Sequence, residues 1–226
     1  MKRFHRFFLR VFFSFSLAAL LVACYDSSLN EAGAFASKIM GASDFDVKKI
    51  NSGSGTIYEL TALEASWNAS YANADVMSVG ALAFFNQIND NSEKSYVRLI
   101  VKTEGDVYRQ TYTSEELRRA DRCIDRVGSF FNWNPVQGVD SLRPLIDPAF
   151  FPDSLIMKIG ASIQQQDSLD NGFVRAELVG FEADTLAGIS VLTVKVNCLR
   201  KQNRQRYDAF VGLSDERLLL VVPSEK

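Results

Sequence analysis

The chain has 226 residues, enough for one large domain or two small ones, with 25 Lys and Arg against 27 Asp and Glu. A net charge of −2 argues against general nucleic-acid binding, which neutralises phosphates with a basic surface. The single histidine is His5, near the N-terminus. The remainder therefore lacks a side chain that titrates near neutrality unperturbed, which excludes Ser-His-Asp and Cys-His catalysis and the usual His ligands of zinc and copper.

Residues 1–23 read as a signal peptide. Lys2, Arg3, Arg6 and Arg10 precede an apolar run, Val11 to Ala23, that falls short of the ~20 residues needed to span a bilayer. Its end, Leu21-Val22-Ala23-Cys24, resembles the bacterial lipobox. The resemblance implies a diacylglyceryl group on the Cys24 thiol, cleavage before Cys24 and acylation of the new amine. Three acyl chains, at ~0.8 kcal/mol per buried methylene, would hold the protein firmly to a membrane. In the Gram-negative sorting rule that this class implies, Asp directly after Cys retains a lipoprotein in the inner membrane. Tyr25 stands there instead, which favours the periplasmic face of the outer membrane. Asp26, one place later, leaves the inner membrane open. Loss of the four cations would make the mature chain more negative still.

Residues 24–30 form the lipidated tether, and 31–131 an N-terminal half of mixed helix and strand. A helix is expected from about Asn30 to Met40, a strand in "GTIYELTALEASW", and a buried helix in "ADVMSVGALAFFNQI". "SYVRLIVKT" and "VYRQTYT" read as a hairpin. Thr113 and Glu116 then form a capping box for a helix over residues 114–131, with Leu117, Ala120, Ile124, Val127 and Phe131 at helical spacing. Cys123 borders that apolar face.

The connection 132–151 lies in a stretch rich in proline (Pro135, Pro144, Pro148, Pro152) and aromatics. Its aromatics either lock the two halves together as core or form an exposed lip. On the second reading Trp133, Phe150 and Phe151 are the partner or ligand surface. Residues 152–226 open with a helical stripe of Leu155, Ile156, Ile159 and Ile163. Four strand-like runs follow: "FVRAELVGFEA", "SVLTVKVNCLR", "RYDAFVGL" and "RLLLVV". The expected fold is α+β, with helices packed on antiparallel sheet and a C-terminal helix followed by about four antiparallel strands. That element order resembles cystatin-like and nuclear-transport-factor-like folds.

Period-two alternation turns Cys198 inward with Leu192, Val194 and Val196. Because export places both thiols in an oxidising compartment, a Cys123–Cys198 disulfide is expected, worth about 4.5 kcal/mol in the chain-entropy model.

Other motifs weigh toward structure. Gly53-Ser54-Gly55 lacks the residues of a nucleotide loop and reads as a turn. "DSLDNG" at 167–172 has Leu169 where a calcium ligand should stand. Asp121 and Asp125 sit one turn apart, but Glu115–Arg119 and Arg122–Asp125 spacings indicate a solvated, charge-paired helix face. Arg200, Lys201, Arg204 and Arg206 form a basic run between strands, either a hairpin tip or a contact for anionic headgroups.

No catalytic residue, metal site or cofactor is nominated. The expected function is a membrane-anchored, periplasm-facing lipoprotein acting as a binding or envelope-assembly module. Its partners would be the membrane, through the lipid, and an envelope protein or apolar ligand. The alternative is a His-independent hydrolase with paired carboxylates ~5–9.5 Å apart, a pair the sequence does not point out.

Overall fold

The computed structural model describes residues 27–66, 72–88, 90, 92, 94–133, 138–158, 161, 173–200 and 204–224. Cys24, Lys201 and the "DSLDNG" motif lie outside these, as does the side chain of Arg200.

Helix α1 (27–39) turns Leu29, Ala32 and Ala36 inward at helical spacing, and Met40 follows them just beyond its end. Strands β1 (Asp44–Ser52) and β2 (Gly55–Leu63) form a hairpin whose turn is the expected Gly53-Ser54. The sequence reading missed β1: its residues are mostly exposed, so "DFDVKKINS" carries no clear apolar alternation. Gly55, at φ +140°, passes so close to Lys94 that an added Cβ would meet its carbonyl oxygen at 2.1 Å.

Strand β2 runs parallel to β3 (Ser95–Lys102), a pairing that needs a long crossover, and α2 (Asn73–Ile88) supplies it. Strand β4 (Val107–Thr113) closes the expected hairpin. The first sheet has the order β1-β2-β3-β4 and holds one parallel pair. Helix α3 (Ser114–Phe131) opens with the expected capping box, in which Thr113 and Glu116 each bond the other's backbone N–H. After a 3-10 turn (Val139–Ser141) and a short helix α4 (153–158), the chain forms β5 (Phe173–Leu186), β6 (Ile189–Arg200), β7 (Arg204–Gly212) and β8 (Leu218–Pro223). These pair antiparallel in chain order, so the fold is α+β with the expected helix and four-strand C-terminal sheet.

The helices lie between the sheets. Helix α2 touches β3 and β4 on one side and β5 on the other, and α3 reaches β3, β4, β5 and β6. This explains why α2 is apolar nearly all round, with Met77, Ala81, Leu82, Phe84 and Phe85 all buried. One apolar core runs through both halves and takes in Trp133, Leu142, Ile146, Phe151 and Ile156 from the connection and α4.

The expected disulfide is not formed. Cys123 and Cys198 both point inward and are buried, but both are thiols. Arg122 is held at Glu216 between β7 and β8, while Phe131, the last residue of α3, packs tilted at 5.5 Å against Tyr207, the register partner of Val196.

Candidate functional site

The most highly charged buried point in the described residues is Asp75, 2 % exposed in the first turn of α2, where the helix dipole favours an anion. Its position follows from a β-bulge at Leu178–Gly180 and from Gly180 itself, where an added Cβ would meet Asp75 Cβ at 2.6 Å. Lys195 Nζ lies 2.8 Å from Asp75 Oδ1, and the Arg206 guanidinium 2.8 Å from Oδ2. Lys195 also pairs with Glu182 at 2.8 Å. Ser78 Oγ donates to the Asp75 carbonyl at 2.8 Å and accepts the Phe181 N–H, an edge group of β5, at 2.9 Å. Helix α2 thus covers the β5 edge and ties three strands to itself.

Asp75, Lys195, Arg206 and Glu182 form one ion-paired cluster. Burial pushes the Lys195 ammonium down, but hydrogen bonds and charge from Asp75 and Glu182 outweigh it and hold its pKa above the ordinary lysine value. Lys195 is therefore neither base nor nucleophile at neutral pH, and Asp75 is committed to two cations. No described group of three or more His, Cys, Asp or Glu side chains is placed to hold a metal.

Beside the cluster is a shallow open pocket of about 160 Å³ between α1, α2 and the bulge of β5. Ile39, Val76, Val79, Leu178 and Val179 give it an apolar floor, and Glu177, Asn197 and Arg204 line its polar rim. Along α1 the apolar surface continues through Phe35, one turn from Ile39; the two are 49 % and 42 % exposed.

A second apolar surface stands beside β8. The connection docks on β8 through an Ile146–Leu218 bridge, with Asp147 N–H donating to the Leu218 carbonyl at 2.9 Å. Arg126 holds the Pro144 carbonyl, and Arg143 pairs with Asp140 and Asp153. On this support Phe150, Leu155 and Met157 project, 42 %, 39 % and 61 % exposed, while Ile156 between them is buried and pins α4 to the core.

No family model, curated protein or solved structure matches this chain.

Of the residues expected to form a partner surface, only Phe150 is exposed. Trp133 is buried, its Nε1–H donating to Ser141 Oγ at 2.8 Å and to the Gly138 carbonyl, and Phe151 is buried as well. Both aromatics are core because they fill the space between α3 and the docked connection. The expected headgroup contact also divides. Arg206 turns to Asp75, drawn by a buried carboxylate, and stays partly exposed. Arg204 stays at the surface, 3.9 Å from Glu177. Glu115–Arg119 pairs as expected, at 2.9 Å. Arg122, however, makes a two-pronged contact with Glu216 instead of Asp125, because a bidentate carboxylate outcompetes a neighbour on the same helix. Asp121 accepts from Asn86.

The sequence reading missed the Asp75 cluster. The available signal was complementary: a lone Asp in the otherwise apolar "ADVMSVGALAFF" and a lone Lys in "VLTVKVNCL".

Proposed function

We propose that this protein is a lipid-anchored envelope lipoprotein whose folded body is a binding module, with the Phe150–Leu155–Met157 ledge as the surface that engages a partner protein. The ledge carries the reading. Large apolar side chains held outward beside the buried Ile156, on a segment docked to β8, have the character of an interface core rather than of scattered surface residues. The paired-carboxylate hydrolase reading has less support, because the buried carboxylate Asp75 is neutralised by Lys195 and Arg206. The likeness of Leu21-Val22-Ala23-Cys24 to a lipobox supports an anchor at Cys24, and Tyr25 in the sorting position favours the periplasmic face of the outer membrane, with Asp26 leaving the inner membrane open.

Photo-crosslinking in cells tests the reading. A photoreactive residue at position 150 or 157 of the full precursor should give a discrete protein adduct, and the same residue at exposed Glu104 should give none. Absence of adducts at both ledge positions, or equal adducts at Glu104, would defeat it.

A further inference from the structure

We propose that the pocket between α1, α2 and the bulge of β5 receives an extended peptide, with one branched aliphatic side chain on its floor and the adjoining backbone amide paired with Asn197. The site is separate from the ledge and does not depend on the anchor. Asn197 stands in β6 between Val196 and Cys198, is 6 % exposed, and lines the pocket. Among the described residues its carboxamide has no hydrogen-bond partner. A buried amide in that state is costly, so the group marks where a polar partner belongs.

The chemistry of that partner follows from the lining. A carboxamide presents N–H donors and a carbonyl acceptor side by side, and the group that answers both is another amide. Glu177 and Arg204 stand together at the rim, 3.9 Å apart. An anion drawn to Arg204 would meet the carboxylate, and a cation drawn to Glu177 would meet the guanidinium, so the rim favours a neutral occupant. The floor of Val76, Val79, Leu178 and Val179 is apolar, and about 160 Å³ is the scale of a cavity that takes one benzene-sized group. That space suits a single leucine or isoleucine side chain and falls below the ~300 Å³ at which drug-sized ligand sites begin.

The nearby backbone suits an extended chain. Strand β5 is an edge of its sheet, and its bulge at Leu178–Gly180 leaves Val179 with no residue opposite it on β6. Farther along this edge Ser78 of α2 takes the Phe181 N–H, whereas the stretch from Glu177 to Val179 borders the pocket. Because the pocket is shallow and open, a chain can enter at one side and leave at the other. A sheet edge beside an apolar hollow is a recurring way of binding extended peptides, in which backbone bonds give affinity and the hollow gives specificity.

The probe is N-acetyl-photoleucine methylamide, a leucine diamide carrying a photoreactive diazirine. It is applied to lysed cells that produce the full chain, which is then recovered by an affinity tag. Adducts should map to Val76, Val79, Leu178 or Val179, and excess N-acetyl-leucine methylamide should suppress them. Asn197→Leu should keep the urea midpoint yet lose adduct about tenfold, the scale of one or two lost hydrogen bonds. An analogue methylated at both amide nitrogens should compete about tenfold less well for the same reason, which frees the test from the folding of the variant. N-acetyl-alanyl-leucyl-alanine methylamide should compete at lower concentration than the single-residue diamide. Adducts at Phe150 or Met157 instead, or none, overturn the site. Undiminished labelling of a folded Asn197→Leu protein, or equal competition by the methylated analogue, overturns the amide pairing. Stronger competition by free N-acetyl-leucine overturns the neutral occupant in favour of an anion at Arg204. No gain from the tripeptide overturns the peptide in favour of a small free amide.

Discussion

Asp75 shows how much of this fold turns on one side chain. Its two cations come from neighbouring strands of the second sheet, so its removal leaves Arg206 partly buried without this counter-charge and Lys195 with Glu182 alone. Breaking a buried pair in this way costs ~3–5 kcal/mol, and Asp75→Ala should lower the urea midpoint accordingly. A midpoint within experimental error of the parent would mean that solvent already satisfies the cations. Cys123 makes a second residue-scale case. Burial, reinforced by the Glu216 charge and opposed by Arg122 and Arg126, pushes its thiol pKa up to about 11. In the folded protein Cys123 and Cys198 should resist alkylation at neutral pH and react once denatured, and reductant should leave stability unchanged. Rapid labelling without denaturant would contradict the burial of both.

At the scale of elements, two glycines of similar composition value have opposite roles. Gly128 lies within α3 with nothing near the position of an added Cβ. Gly128→Ala should therefore stabilise by ~0.5–1 kcal/mol, as replacing glycine in a helix does. Gly180 is where β5 meets α2, and a Cβ there would strike the Asp75 backbone at 2.7 Å. Gly180→Ala should destabilise by ~1–3 kcal/mol through overpacking. Thermal melts of the two variants should move in opposite directions, and a shift of the same sign in both would refute the packing argument. The strands obey the same logic: β3 buries Val97, Leu99 and Val101 in strict alternation, whereas β6 is buried on both faces, Thr193 and Asn197 included.

For the whole molecule, helices α2 and α3 lie between the two sheets, and the Phe150–Leu155–Met157 ledge stands outside the core they share. The proposed anchor lies outside the described residues. If Cys24 carries the lipid, Cys24→Ser removes the acyl acceptor, so the variant should lose membrane association and keep the unfolding midpoint of the parent. Membrane association that survives the change, measured by detergent-free fractionation, would rule out the thiol as the attachment point.

The sequence by itself determined the elements whose signals are local. The α3 capping box needs only Thr113 and Glu116 three residues apart, the β3–β4 hairpin only a turn between alternating runs, and the four-strand C-terminal sheet only its β-branched segments and polar turns. Tertiary structure decided what depends on partners remote in the chain. Strand β1 exists because β2 pairs with it, Arg206 reaches Asp75 because a buried carboxylate lies there, and Cys123 and Cys198 are both buried yet remain thiols. The exposed ledge was equally hidden from the sequence. Trp133, Phe150 and Phe151 have the same chemistry, and only docking on β8 and α3 decides which of them water can reach. Local propensity is set within a few residues, whereas burial and charge pairing are set by whatever the folded chain brings alongside.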